Sequence, residues 1–278
     1  MQETGNNTNR FDSSNLQQYT LSIRLSADGF SFFVYNSGNK NDFFYKVYPV
    51  NSQRSMAANV KLFLNDVPEL KHSYKQVNIL IHSERYTSVP LELFDDDDAE
   101  LIFYQTFPKL NNEIVMCNVL NGSNIAILFS LDKLSHVFLS EFFPDARFLA
   151  AISPQLELLK NRANKWNNRK LYANLHAESI DVFCFDKGKL LLVNSFVCRN
   201  VTDRCFYLLG IWKQCSLDAE RDELHLLGSK TEKDELAEAL KKYIRSVFSV
   251  NPLAEFGSSD LKNLEELPFD IQSLLLCE

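Results

Sequence analysis

The chain is poor in glycine and rich in phenylalanine. Only 8 of its 278 residues are glycine, whereas 22 are phenylalanine and 10 are tyrosine. Glycine lets a backbone approach a phosphate group closely, so its scarcity counts against an enzyme that wraps phosphate in glycine-rich loops. The P-loop, the Gly-x-Ser-x-Gly nucleophile turn and the His-Glu-x-x-His motif are also missing. The enzyme classes that depend on those motifs therefore lack support.

Basic charge, a long apolar run and paired cysteines are missing as well. The net charge is −7 and the pI is near 5.4, which is unlike the basic surface of nucleic-acid-binding proteins. No apolar run is long enough to cross a bilayer, and residues 1–14 lack the apolar core of a signal peptide. None of the six cysteines has Cys-x-x-Cys spacing, so neither a zinc site nor a redox pair is indicated. We expect a cytoplasmic protein that binds neither nucleic acid nor membrane and holds no metal.

What the sequence does contain is periodic hydrophobicity. With 45% hydrophobic residues the chain can bury sizeable cores, and its length suggests about two domains. Period-two and helical spacing of apolar residues, together with turn residues, predict the elements. The predicted strands are 20–25, 30–35, 43–48, 76–82, 113–119, 125–129, 148–152, 171–175, 179–185, 189–196, 223–227 and 243–250. The predicted helices are 52–65, 132–143, 154–166, 202–217 and 232–242; residues 86–94 are predicted as a loop that turns at Pro90.

One stretch of the first half recurs in the second at an offset of 150. Residues 25–38 and 175–188 both read as strand, tight turn, strand, tight turn, strand. Four aligned positions are identical and a fifth keeps an acid: Leu25/Leu175, Ala27/Ala177, Phe33/Phe183, Gly38/Gly188 and Asp28/Glu178. The sequence therefore predicts one architecture used twice.

The second half reads β-β-β-α-β-α-β, and the first half begins in the same way. This order, used twice, resembles the actin-like ATPase superfamily, whose domains have a ribonuclease H-like core. The resemblance implies an α/β fold of two such domains, with mixed sheets flanked by helices. Residues 125–166 also resemble the inserted subdomain of bacterial actin-like proteins that assemble pilus or division machinery. Within the superfamily, the chain is most similar to an uncharacterised bacterial family assigned this fold.

The same resemblance gives an expected division of the chain. Residues 1–17 are polar and are expected to be a disordered or loosely docked tail. Residues 18–168 are expected to form the first ribonuclease H-like domain, with an inserted subdomain at about 113–166. Residues 169–278 are expected to form the second domain and a C-terminal segment. Such a duplicated chain would carry its site where the two domains meet.

In the superfamily, nucleotide binds between the domains, and each hairpin turn there carries Asp-x-Gly followed by Thr or Ser. The corresponding turns here read Ser26-Ala27-Asp28-Gly29 and His176-Ala177-Glu178-Ser179, and both lack the leading acid. The adenosine motif, normally a glycine pair after a strand, is reduced to Gly228-Ser229-Lys230. The nucleotide-binding residues that the resemblance implies are Ser26, Asp28, Gly29, His176, Glu178, Ser179, Gly228, Ser229 and Lys230. Because phosphoryl transfer depends on positioned charge, these departures weaken the ATPase interpretation.

Each candidate feature has a functional and a structural interpretation. Asp28 and Glu178 could share a divalent cation, or could simply be turn residues. His176 could act in acid–base chemistry, or could be a turn histidine. Amides of residues 228–230 could hold an anion, or the glycine could serve strand-to-helix geometry alone. The acids at 95–98 could bind a cation or a basic partner, or could favour a solvated helix start.

Taken together, the sequence predicts a non-catalytic protein of actin-like fold. Its phosphate loops are degenerate, as in a pseudo-ATPase, so we assign no catalytic residue and expect no cofactor. We expect it to act as a scaffold or to bind a protein partner. The alternative is that it still binds ATP with magnesium and slowly hydrolyses it or transfers phosphate. A ribonuclease H-like nuclease would need clustered carboxylates and a basic surface, and the sequence indicates neither.

Overall fold

The computed structural model describes residues 7–9, 16–257, 259–264 and 267–277. The chain divides into two compact units. Unit 1 comprises Met1–Val119, Asn124–Ser153 and Phe256–Leu267, and unit 2 comprises Leu120–Ser123, Pro154–Glu255 and Pro268–Glu278. Residues 154–168, which were assigned to the first predicted domain, thus lie in unit 2. The domain limits inferred from the sequence remain a prediction.

The described chain contains both strands and α-helices. The strands are β1 (Asn7–Asn9), β2 (Thr20–Ser26), β3 (Gly29–Asn36), β4 (Asn39–Tyr48), β5 (Gln76–Ile81), β6 (Tyr86–Pro90), β7 (Glu113–Leu120), β8 (Ile125–Asp132), β9 (Arg147–Ala150), β10 (Arg169–Leu175), β11 (Ser179–Asp186), β12 (Lys189–Val197), β13 (Glu223–Leu227) and β14 (Ser246–Ser249). The helices are α1 (Met56–Asp66), α2 (Ala99–Thr106), α3 (Lys133–Phe142), α4 (Ile152–Ala163), α5 (Val201–Gln214), α6 (Lys230–Leu240) and α7 (Phe269–Cys277).

Unit 1 is organised around a six-stranded sheet of order β1-β4-β3-β2-β5-β9. Strands β2, β3 and β4 are antiparallel neighbours, whereas β5 runs parallel to β2, and β9 runs parallel to β5. Both faces of the central strands are buried, which explains their dense apolar and aromatic sequence. Phe63 of α1 packs on Phe30 and Phe32, with ring centroids 5.5 and 6.1 Å apart.

A second, three-stranded sheet of unit 1 has the order β6-β8-β7. Strand β6 corrects the prediction of a loop at 86–94, because Tyr86–Pro90 pairs antiparallel with β8. Pro90 was interpreted as a turn, but a proline is tolerated at the end of an edge strand such as this one. The small sheet is built from residues between 86 and 132, and β9 joins the large sheet. Its extent therefore differs from the inserted segment expected at about 113–166.

Unit 2 is organised around a five-stranded sheet of order β12-β11-β10-β13-β14. Strand β10 is antiparallel to β11 and parallel to β13, and β14 is parallel to β13. The order and directions match those of β4-β3-β2-β5-β9. Leu171 and Ala173 of β10 lie in the core shared with α5 and α6. On the other face, Asn174 donates a hydrogen bond to Gln155 of α4 (3.0 Å). The predicted fold class, mixed sheets flanked by helices, is confirmed.

Helix α5 is less buried than its composition suggests. Its many apolar residues predict burial on most faces, but the described structure buries mainly Arg204, Leu208, Ile211 and Trp212. Phe206 is 73% exposed. The prediction of a largely buried helix is therefore wrong, because α5 covers one face of a sheet and leaves its opposite face to solvent.

The described residues near the N-terminus form one short strand and one short helix. Asn7–Asn9 forms β1 and pairs antiparallel with β4, and Leu16–Gln18 forms a short 3₁₀ helix. Residues 1–6 and 10–15 lie outside the described residues, and the expectation of a disordered or loosely docked tail stays a prediction. None of the six cysteines forms a disulfide with a residue that the structure describes. Among the described residues, the longest apolar helices fall short of the length and hydropathy needed to span a bilayer.

Candidate functional site

The turn between β2 and β3 is closed by its own hydrogen bonds. Ser26 is buried at the end of β2, and its Oγ accepts a hydrogen bond from the amide of Asp28 (3.3 Å). Asp28 is exposed, and Ser26 pairs directly with Gly29 across the hairpin. A Cβ on Gly29 would meet the nearest atom, the carbonyl oxygen of Tyr48, at 3.8 Å. Steric contact with neighbouring atoms therefore does not require a glycine at this position.

The equivalent turn of unit 2, between β10 and β11, is held more firmly. The amide of His176 donates to the carbonyl of Ser179 (2.9 Å), which is buried at the start of β11. Glu178 forms an ion pair with Arg199 at 3.3 Å, but the two side chains are 61% and 71% exposed. Such a surface pair contributes little to stability. The acid of this turn is thus solvated and already paired with a cation.

The structure also shows that His176 has a partner that sequence reasoning missed. Its Nε2 lies 2.7 Å from Oδ2 of Asp181, which is 4% exposed. Oδ1 of Asp181 accepts a hydrogen bond from Ser195 of β12 (2.5 Å). The available signal was an acid within the apolar run of β11, because a buried carboxylate requires such partners. The histidine is therefore oriented by the sheet beneath it.

Gly228 follows β13 and packs against the end of β10. Its φ is +120°, and a Cβ there would lie 2.9 Å from Cβ and 3.0 Å from the carbonyl oxygen of Leu175. A side chain would therefore clash with the neighbouring strand. Close packing and backbone geometry are enough to require a glycine at this position, and anion binding by the amides of residues 228–230 remains a prediction.

The start of α6, where the amides of residues 228–230 are the candidate anion site, carries a carboxylate. Ser229 is the N-cap residue, and its hydroxyl donates to Glu232 (2.7 Å), while Lys230 is exposed. Glu232 also accepts a hydrogen bond from Arg204 (2.9 Å), whose side chain is 4% exposed. A helix N-terminus favours negative charge, and here Glu232 of the chain supplies it.

The remaining acidic candidates behave as structural residues or stay untested. Asp95 accepts a hydrogen bond from the amide of Asp97 (3.1 Å), at the start of the 3₁₀ helix Asp96–Asp98 that leads into α2. Acids are favoured at such a helix start. Asp28 and Glu178 belong to different units, and a cation shared by them remains a prediction.

A pocket of about 460 Å³ lies wholly within unit 2, at the opposite end of β10 from His176. Strands β10, β13 and β14 supply its floor, and the end of α4 and the segment that follows it supply one wall. The lining residues are Arg162, Lys165, Trp166, Lys170, Tyr172, Glu223, His225, Phe248, Val250 and Glu255. Sequence analysis did not identify this pocket, because its residues are brought together by strand pairing.

The charges of the pocket are largely paired. Lys170 is 2% exposed and forms a short ion pair with Glu223, and Glu223 also contacts His225 at 2.8 Å. Burial alone would raise the pKa of Glu223, but hydrogen bonds from Lys170, Asn168 and His225 outweigh it and lower the pKa to about 2. Burial lowers the pKa of His225. Glu223 is therefore charged and His225 neutral near pH 7.

Comparison with known proteins identifies the family. Residues 8–247 match the model described as "Protein of unknown function (DUF3822)". The chain belongs to this family. A crystal structure of a Bacteroides thetaiotaomicron VPI-5482 protein with an actin-like ATPase fold and unknown function is 42% identical to this DUF3822 chain. It covers 96% of this chain and 99% of that one, with a TM-score of 0.85. The DUF3822 chain therefore has the actin-like ATPase fold, as the resemblance implied.

Two more distant structures resemble the DUF3822 chain. One is a PilM–PilN type IV pilus biogenesis complex, at 14% identity and a TM-score of 0.59, covering 93% of this chain and 98% of that one. The other is the ethanolamine utilization protein EutJ from Carboxydothermus hydrogenoformans, at 7% identity and a TM-score of 0.48, covering 96% and 92%. No curated protein matches the chain. At these identities the pilus complex supports the fold alone.

Proposed function

We propose that this DUF3822 protein is a bacterial, cytoplasmic scaffold or partner-binding module that uses an actin-like fold without its ATPase chemistry. The observation that carries this proposal is the carboxylate of Glu232 at the start of α6, bonded to Ser229 and Arg204. An anionic group of a nucleotide placed at this helix start would meet the carboxylate of Glu232 beside the helix amides, which disfavours its binding. The same residues stabilise unit 2 instead of forming an anion site.

The two hairpin turns support the same proposal. Phosphate binding and hydrolysis need backbone amides open to the ligand and an acid free to orient metal-bound water. In the first turn the amide of Asp28 is bonded to Ser26, and in the second Glu178 is paired with Arg199. The equal strand order of the two sheets supports an origin by duplication. After the duplication, the chain would have kept the fold and lost the residues needed for ATP hydrolysis.

The proposed function also requires a protein partner. The pilus complex shows that one protein of this fold occurs together with another protein. For the DUF3822 chain the partner is inferred from chemistry, because a fold does not fix a function. Its own surface supplies exposed aromatic residues, among them Trp166 and Phe248 at 61% and 46% exposure, of the type that is enriched in protein interfaces.

Isothermal titration calorimetry of the full chain with ATP and magnesium tests the proposal. We expect no binding tighter than a Kd of about 0.1 mM. The alternative function, a weak ATPase or phosphotransferase, requires tighter binding. If ATP bound below that limit, and Lys230→Ala weakened the binding while Lys241→Ala at the other end of α6 did not, the proposal would be wrong. Both lysines are exposed, so neither substitution disturbs packing.

A further inference from the structure

The pocket of unit 2 contains a ladder of three aromatic rings, one from each of three neighbouring strands. Tyr172 of β10 pairs in register with His225 of β13, and His225 pairs with Phe248 of β14. The ring centroids are 4.9 and 5.2 Å apart, with interplanar angles of 28° and 29°. The ladder therefore follows from strand register, since directly paired side chains stand about 5 Å apart on one face of a sheet.

The ladder ends at an open edge. Strand β14 is the last strand of the five-stranded sheet in the described chain, so one side of its backbone has no strand neighbour there. Phe248, the last ring, is 46% exposed. An edge strand with an exposed aromatic residue is a template for an added strand unless it is protected. A sixth strand added in register would place its own side chain beside Phe248 and continue the ladder.

The charged residues beside the ladder determine whether the pocket favours a ligand of negative or positive charge. The pocket contains three cations, Arg162, Lys165 and Lys170, against two carboxylates. Glu223 is held by Lys170, and Glu255 is held by Arg162 at 2.6 Å. Lys165 is exposed and has no ion pair with any residue that the structure describes. The uncompensated charge is therefore positive and favours an acidic group.

We propose that this pocket binds an extended segment of a protein partner, added as a strand along β14, that carries an aromatic and an acidic residue two positions apart. Residues two apart in a strand share a face, so the aromatic ring stacks on Phe248 while the carboxylate meets Lys165. The pocket is open, because Trp166 and Phe248 on its lining are 61% and 46% exposed. An enclosed site would suit a small molecule better. This inference rests on the proposed partner-binding function.

The test selects a display library of random twelve-residue peptides on the full chain and measures the enriched peptides by fluorescence anisotropy. We expect enrichment of an aromatic residue and an acidic residue separated by one position. Phe248→Ala and Lys165→Glu should each weaken binding about tenfold. The matched controls Phe206→Ala and Lys213→Glu, exposed on α5 of the same unit, should leave the affinity unchanged.

Three outcomes would overturn the inference: no enrichment, enrichment without that spacing, or equal affinity in the two pocket variants and the wild type. Circular dichroism checks that each variant is folded. Phe248 and Lys165 are both exposed and are substituted separately, so one variant still tests the inference if the other does not fold. ATP titration distinguishes the two proposals. Absence of peptide binding together with absence of ATP binding would reject the pocket and leave the non-catalytic proposal standing. ATP binding tighter than about 0.1 mM that Lys230→Ala weakens would reject the non-catalytic proposal, whether or not a peptide binds.

Discussion

At the scale of single residues, the close packing around Gly228 leads to a specific prediction about stability. Its φ of +120° and the 2.9 Å approach to Leu175 leave no space for a methyl group. Gly228→Ala should lower the free energy of unfolding by about 2 kcal/mol or more. Gly210→Ala is the matched control, because Gly210 lies in α5 with no atom within 4 Å of the added Cβ. It should stabilise the protein by about 0.5–1 kcal/mol. Urea denaturation measures both; equal effects would contradict the packing argument.

Glu223 makes a prediction about pH. Its pKa is lowered from 4.5 to about 2, so its charged form stabilises the folded state above pH 4.5, and that contribution is lost as the pH falls towards 2. Glu223→Gln should lower the free energy of unfolding by about 3 kcal/mol at pH 7. The difference from the wild type should shrink between pH 4.5 and 2.

Urea denaturation at a series of pH values checks this prediction. Glu220→Gln is the control, since its ion pair with Arg245 is 71% exposed on both sides and is expected to contribute far less. A difference between wild type and Glu223→Gln that stayed constant from pH 7 to pH 3 would show that the Lys170–Glu223 pair does not hold the carboxylate in its charged form.

At the scale of elements, the start of α5 depends on one residue. The side chain of Asn200 accepts a hydrogen bond from the amide of Asp203 (2.8 Å) and donates to its carboxylate (2.8 Å). Asn200→Ala should cost about 1 kcal/mol of stability. Ser229 stands at the start of α6, but its hydroxyl donates to Glu232 and makes no cap bond to a helix amide. Ser229→Ala should therefore cost less than half as much; the reverse order in thermal denaturation would contradict this comparison.

Elements with strong periodicity could be predicted from the sequence. Strands β2–β4 and β10–β12 follow from alternating apolar residues and turn residues, and the offset of 150 between them matches their equal places in the two sheets. Features set by tertiary context could not. Helix α5 was predicted as buried because composition does not say how many faces are covered. At the start of α6 the structure pairs the side chains of Ser229 and Glu232, a contact that periodicity does not predict.

The candidate site was predictable only in part. The turns at Ser26 and His176 were found because they are local in sequence. Asp181, which holds His176, was missed because its partner Ser195 lies on another strand. The aromatic ladder was missed for the same reason. Parallel strand pairing brings together Tyr172, His225 and Phe248, which span 76 positions of sequence. Local periodicity does not reveal such long-range pairing.

At the scale of the whole molecule, the chain has the actin-like fold, but its two hairpin turns differ in sequence from the Asp-x-Gly turns of the superfamily. Membership of the DUF3822 family and the 42% identical Bacteroides structure establish the actin-like fold. The proposed loss of ATPase chemistry rests on three positions within that framework, namely Glu232, Glu178 and the turn at Ser26. Each is engaged in contacts of its own unit, and under the proposed function the fold persists without the activity that it is known for.

Phosphate release from ATP with magnesium tests this central claim most directly. The full chain is compared with the double variant Asp28→Ala/Glu178→Ala, which removes two exposed acids without disturbing either core. The account predicts that both proteins release phosphate at the same background rate. Release by the wild type that fell at least about tenfold in the double variant would show that these acids serve catalysis and would contradict the account.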